Sequence, residues 1–117
     1  MKVTGEQLER LERRAGILHA LANPSRLFML ERMEQGDLTV SELTELVGSD
    51  MSTVSRHLSV LRDAGIIACS QDGNRRLHRL RARCVLGFLD CVEEILEEGR
   101  TSCTCETDGR IAESGVL

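Results

Sequence analysis

Residues 39–64, TVSELTELVGSDMSTVSRHLSVLRDA, constrain this chain more than any other stretch. Thr39 with Glu42 forms a capping box, and Val40, Leu43, Leu46 and Val47 supply the buried face of a short helix. Gly48 stands where a helix end favours a left-handed residue, and Asp50 caps the next helix. There Val54, Leu58 and Leu61 recur at i, i+4 and i+7 and face the core. Met51, Ser52, Ser55, Arg56 and Ser59 are left toward the outside or its margin, with His57 and Arg62 alongside. Two helices joined in this way are a helix-turn-helix, and the outer face of the second has the chemistry to enter a DNA major groove. Short hydroxyls approach phosphates or base edges closely, and Arg56 is suited to bond a guanine bidentately.

The next segment, IIACSQDGNRRLHRL, strengthens that reading. Strand-like runs at 66–70 and 75–80 surround Gln71-Asp72-Gly73-Asn74, a hairpin signal, and Arg75, Arg76 and Arg79 lie on or just after its tip. A helix-turn-helix followed by a basic hairpin is a winged helix. The net charge of −4 looks wrong for a nucleic-acid binder until it is divided. Residues 1–51 carry 6 Lys/Arg against 9 Asp/Glu, and residues 84–117 carry 2 against 8. Residues 52–83 carry 7 Arg against Asp63 and Asp72, so the positive charge sits where phosphates would be met.

The remaining elements read as packing and assembly. Thr4 and Gln7 form a capping box ahead of a helix with Leu8, Leu11, Ala15, Leu18 and Leu21 along one side. Asn23-Pro24 starts the next helix, with Leu27, Phe28 and Leu30 expected inward and Gly36-Asp37 ending it. A last helix over 82–99 carries Val85, Phe88, Leu89, Val92, Ile95 and Leu96. Aromatic residues make up only 2% of the chain, so a core of aliphatic side chains gains from burying more surface in a dimer. The domain organisation expected is a winged-helix and dimerisation domain over 1–99 (helix-turn-helix 39–64, wing 66–80) and a flexible Cys-containing tail over 100–117. The fold class is mainly α with a small β-hairpin, a dimeric winged helix-turn-helix. No stretch approaches the ~18–20 apolar residues that span a bilayer, and the N-terminus lacks a signal-peptide core. A cytoplasmic protein with no membrane partner is expected.

ANPSRLFML, then DLTVSELTELVGSDMSTVSRHLSVLRDAGII, then QDGNRRLHRLR closely resembles the ArsR/SmtB family of metal- and metalloid-responsive repressors, from about Ala20 to Arg81. The resemblance implies a homodimer with the first and last helices at the interface, double-stranded operator DNA as partner, and an inducer that weakens DNA affinity. The chain departs from the family at its sensing sites. Arsenic-sensing members often carry Cys-Val-Cys where this chain has Thr39, Val40 and Ser41. The family's last-helix zinc site uses Asp and His, and here only Asp90 and no histidine lies between Ala82 and Gly99.

Five cysteines in such a chain point to thiols or metal ligands rather than to a disulfide framework. Cys103-Thr104-Cys105 is the sharpest clue, because residues i and i+2 of an extended stretch aim both sulfurs at one soft ion. Cys84 and Cys91 on one helix stand roughly 10 Å apart and cannot share an ion. Cys91 is the better third ligand, since the tail need double back only a couple of turns; Cys69 reads as structural. The expected inducer is trivalent arsenic on Cys91, Cys103 and Cys105, with no cofactor required. Within the same fold, a redox or persulfide sensor and a cadmium sensor are the rivals; outside it, a CxC metal carrier or a thiol enzyme. The enzyme reading finds no support, because His19, His57 and His78 are not linked in sequence to the tail thiols.

Overall fold

The computed structural model describes residues 2–102 and contains five helices and one hairpin: α1 (Gly5–Leu21), α2 (Pro24–Glu34), α3 (Val40–Val47), α4 (Met51–Asp63), β1 (Ile67–Asp72), β2 (Arg75–Leu80) and α5 (Cys84–Ser102). The chain divides into two compact units, one ending at Arg83 and the other beginning at Cys84.

Helix starts in the first unit are set locally. Thr4 and Thr39 each form a complete capping box, with Gln7 and Glu42 respectively. The Asn23 side chain accepts from the backbone N–H groups of Ser25 and Arg26, with Pro24 behind it at the first helical position. Gly48 (φ +80°) turns the chain out of α3, and Asp50 caps α4 by accepting from the Thr53 N–H at 2.8 Å. The end of α4 is a Schellman motif: the Ile66 N–H donates to the Leu61 carbonyl and the Gly65 N–H to Arg62, with Gly65 at φ +82°. That bend delivers Ile66 and Ile67 straight into the core.

The core is aliphatic and sulfur-bearing. Met29, Leu30 and Met33 of α2, Leu43 of α3, Val54, Leu58 and Leu61 of α4, and Ile66, Ile67 and Leu80 of the hairpin are all buried, with Ala20 and Leu21 from the end of α1. Phe28 does not pack inward as the sequence suggests; it is 38% exposed, and Met29 and Met33 take the interior positions. Leu46 likewise sits at the surface, as do Leu8, Leu11, Ile17 and Leu18 of α1.

β1 and β2 pair antiparallel in the register Ile67↔Leu80 to Asp72↔Arg75, so Gly73-Asn74 alone makes the turn. Because the loop needs only two residues, β1 extends to Asp72 rather than stopping at residue 70. Leu38 and His78 exchange two backbone hydrogen bonds (2.8 and 3.1 Å), which tie the outer edge of the wing to the segment before α3. In the second unit, α5 starts at Cys84 and continues through Gly99 to Ser102, where the sequence suggests 82–99. A glycine inside a helix costs about 1 kcal/mol, too little by itself to end one.

Candidate nucleic-acid interface

Helix α4 has two chemically distinct faces. Val54, Leu58 and Leu61 fill the interior, while Met51, Ser52, Ser55, Arg56 and Arg62 are exposed and Ser59 is half-buried. Arg56 Nη2 rests on Thr53 Oγ1 and Arg62 Nη2 on Ser59 Oγ, both at 3.4 Å, so each guanidinium lies along the helix surface with further donors free to turn outward. Ser52 is more committed than its position in the sequence suggests. Its hydroxyl donates to Asp50 Oδ1 at 2.7 Å, and what remains for a ligand is acceptor capacity. Backbone donation from Thr53, then the Ser52 and Thr53 side chains, hold the Asp50 carboxyl down at about 2. The cap is therefore a fixed negative charge at the start of the helix.

The hairpin brings its arginines beside the start of α3. Arg75 Nη2 lies 3.8 Å from Glu42 Oε1, an exposed pair, and Thr39, Val40 and Ser41 line a shallow groove with Asn74, Arg75 and Arg76. Glu42 stays ionised below the usual carboxylate range because the Thr39 backbone donates to it; Arg75 adds a smaller pull. Strand alternation puts Arg75 and Arg79 on one face of β2 and Arg76 on the other, so the three do not form one stripe. All three are exposed.

The two histidines of this region are less available than their positions suggest. His57 is half-buried, and its Nδ1 accepts from Arg26 Nε at 3.1 Å. Burial, then the nearby Arg26 and Arg56, push its pKa down, so the imidazole is the neutral form that this bond requires. His78 is 3% exposed, its Nδ1 has no hydrogen-bond partner among the described residues, and burial again favours the neutral ring. It faces the interior and cannot reach a phosphate. Arg26 was not legible as part of this region. The signal available was a cation in the first turn of a helix, at the unfavourable pole of its dipole.

Of the thiols, Cys84 and Cys91 are exposed on α5, and Cys69 is half-buried in β1; all three are free. Cys103 and Cys105 lie outside the described residues. Among the described residues no three His, Cys, Asp or Glu side chains converge as a metal site. Thr39, Val40 and Ser41 offer no soft ligand at the start of α3. No described helix is long and apolar enough to cross a membrane.

Residues 23–68 match the family described as "Bacterial regulatory protein, arsR family". The chain is 38% identical over 76 residues to the HTH-type transcriptional regulator NmtR of Mycobacterium tuberculosis, a match covering 65% of this chain and 63% of that protein. It is 30% identical over 93 residues to the arsenical resistance operon repressor of Staphylococcus xylosus, covering 77% and 86% respectively. The crystal structure of NolR from Sinorhizobium fredii superposes with a TM-score of 0.71 at 30% identity, over 81% of this chain and 95% of NolR.

Proposed function

The chain belongs to the arsR family of bacterial regulatory proteins, and from that premise we propose that it is a homodimeric repressor that binds operator DNA and is released by a thiophilic inducer. One observation carries the reading: α4 spends its apolar face on the core and leaves serines and arginines outward, next to a wing that exposes three more arginines. Major-groove entry by α4 and backbone contacts by the wing use every one of those groups. Two uncovered apolar stripes support the dimer. α1 exposes Leu8, Leu11, Ile17 and Leu18, and α5 exposes Phe88, Val92, Ile95 and Leu96, surface that association would take out of water.

The inducer in this proposal is trivalent arsenic, held by thiolates of Cys91, Cys103 and Cys105. The support is the CxC spacing, the exposure of Cys91 and the name of the Staphylococcus relative. Closure of three thiolates at or near α5 would shift the separation of the two α4 helices. A two-fold dimer needs them about 34 Å apart to fit successive major grooves, so a small reorientation costs affinity.

A single titration tests both halves. Wild type and the Cys103→Ser/Cys105→Ser variant are bound to a duplex of the chain's own upstream region, then challenged separately with arsenite, cadmium and persulfide. Both proteins should bind in the absence of challenge, with a steep salt dependence, and arsenite should dissociate only the wild type. Release of the double variant by arsenite would remove the tail thiols from the site. Release by persulfide or cadmium alone would replace arsenic as the inducer. Absence of duplex binding at low salt would leave a metal carrier as the better description.

A further inference from the structure

Arg26 joins three helices through one guanidinium. Its Nε donates to His57 Nδ1 on α4 at 3.1 Å, and its Nη1 donates to the carbonyls of Ala20 (3.2 Å) and His19 (3.4 Å) in the last turn of α1. The Ala20 carbonyl belongs to the last turn, where a helix C-terminus leaves acceptors short of intrahelical donors, and the His19 carbonyl also accepts from the Ala22 N–H at 3.2 Å. The cation is therefore misplaced on its own helix, where it occupies the first turn, and well placed on α1, at the negative end of that dipole. The planar fork is what allows both contacts at once: Nε points to the imidazole while Nη1 reaches the carbonyls. A lysine ammonium, a single point of charge, cannot hold this geometry.

His57 completes the link from the other side. It sits between Arg56 and Leu58, that is, between an outward-facing arginine and a core leucine. Its ring is carried by the same helix that presents Arg56. We infer that Arg26 is a positioning residue for DNA reading: through His57 it fixes the rotation of α4 relative to the end of α1, and so aims Arg56. His57 is thus a strut and not a DNA contact.

The inference rests on α4 being the DNA-reading element, and the test separates the two. Operator affinity is measured by fluorescence anisotropy for wild type, His57→Phe, His57→Asn, Arg26→Lys and the double variant R26K/H57F. Amide hydrogen exchange along α4 is recorded on each free protein, and melting temperature serves as the control. Asparagine puts an acceptor, its Oδ1, at the position of the histidine Nδ1, whereas phenylalanine fills the space without one. His57→Phe and Arg26→Lys should each weaken operator binding roughly tenfold, the worth of one such hydrogen bond. The double variant should be no weaker than the weaker single, and His57→Asn should bind as wild type does. Exchange along α4 in the free protein should rise in the two weakened variants and stay unchanged in His57→Asn.

Losses that multiply in the double variant, or full affinity in His57→Phe, would overturn the strut. If Arg26→Lys does not fold, the contrast between His57→Phe and His57→Asn decides alone. If even wild type binds no duplex, the reading of α4 fails, and the exchange pattern in the free proteins still decides whether the link holds α4.

Discussion

Replacing Arg75, Arg76 and Arg79 together with alanine is expected to flatten the salt dependence of DNA binding while leaving sequence preference almost unchanged. Each wing arginine is exposed, and none contributes to the core, so the hairpin should survive the change. Register in the hairpin is held by the backbone ladder from Ile67↔Leu80 to Asp72↔Arg75 and by the Leu38–His78 bonds, all independent of those side chains. A phosphate neutralised by a protein cation releases counterions, which contributes about 0.9 to the slope of log Kobs against log[salt]. Removing three such cations should reduce the slope by roughly 2–3, and affinity should fall by similar factors for operator and unrelated duplexes. The Glu42 contact does not hold Arg75 back, because an exposed pair at 3.8 Å is worth about 0–1 kcal/mol and yields to a phosphate. Anisotropy titrations over a range of salt concentrations read the slope directly. A slope equal to that of wild type would mean that the wing does not touch the backbone.

Leu61→Ala should destabilise the fold by about 2–5 kcal/mol, a large share of the ~5–15 kcal/mol that holds a domain of this size. Leu61 is fully buried on α4, and its carbonyl accepts the Ile66 N–H of the bend that directs the hairpin into the core. Alanine keeps that hydrogen bond but removes the side chain from a core made of methionine and aliphatic residues, where no aromatic ring stands by to fill the space. Leu46→Ala on the exposed rim of α3 supplies the control and should cost well under half as much. Urea unfolding monitored by circular dichroism measures both. A loss below about 1 kcal/mol at Leu61 would mean that the helix packing described above does not carry the stability.

The parts of this fold that were legible in the sequence are those decided within a few residues. Capping boxes at Thr4 and Thr39, the Asn23-Pro24 start, the Gly48 turn, the Asp50 cap and a hairpin turning within 71–74 all follow from local backbone chemistry, and the structure has each of them, the turn itself narrowed to Gly73-Asn74. Periodicity also identified Val54, Leu58 and Leu61 as the inward face of α4. It could not say what covers an apolar stripe, so Phe28 and Leu46, expected inside, lie at the surface, while Leu8, Leu11 and Leu18 of α1 are exposed as a stripe that needs a partner would be. Partners distant in sequence were out of reach as well. Nothing near His57 announces an arginine 31 positions earlier, and nothing near His78 announces its pairing with Leu38. His57 therefore read as a free polar group of the interface, although its Nδ1 accepts from Arg26, and the burial of His78 was not visible either. The proposed thiol ligands are divided: Cys91 is seen on α5, and Cys103 and Cys105 fall outside the described residues.

Presentation of Arg56 to a base edge by α4 is the central claim. The most direct measurement compares wild type and Arg56→Ala on a panel of operators in which each base pair is replaced in turn. A guanine read bidentately by Arg56 predicts a loss of about 1–3 kcal/mol on the intact operator, with discrimination erased at one symmetry-related pair of positions and preserved at the others. Equal affinity of the two proteins, or a loss spread evenly over the whole panel, would contradict it.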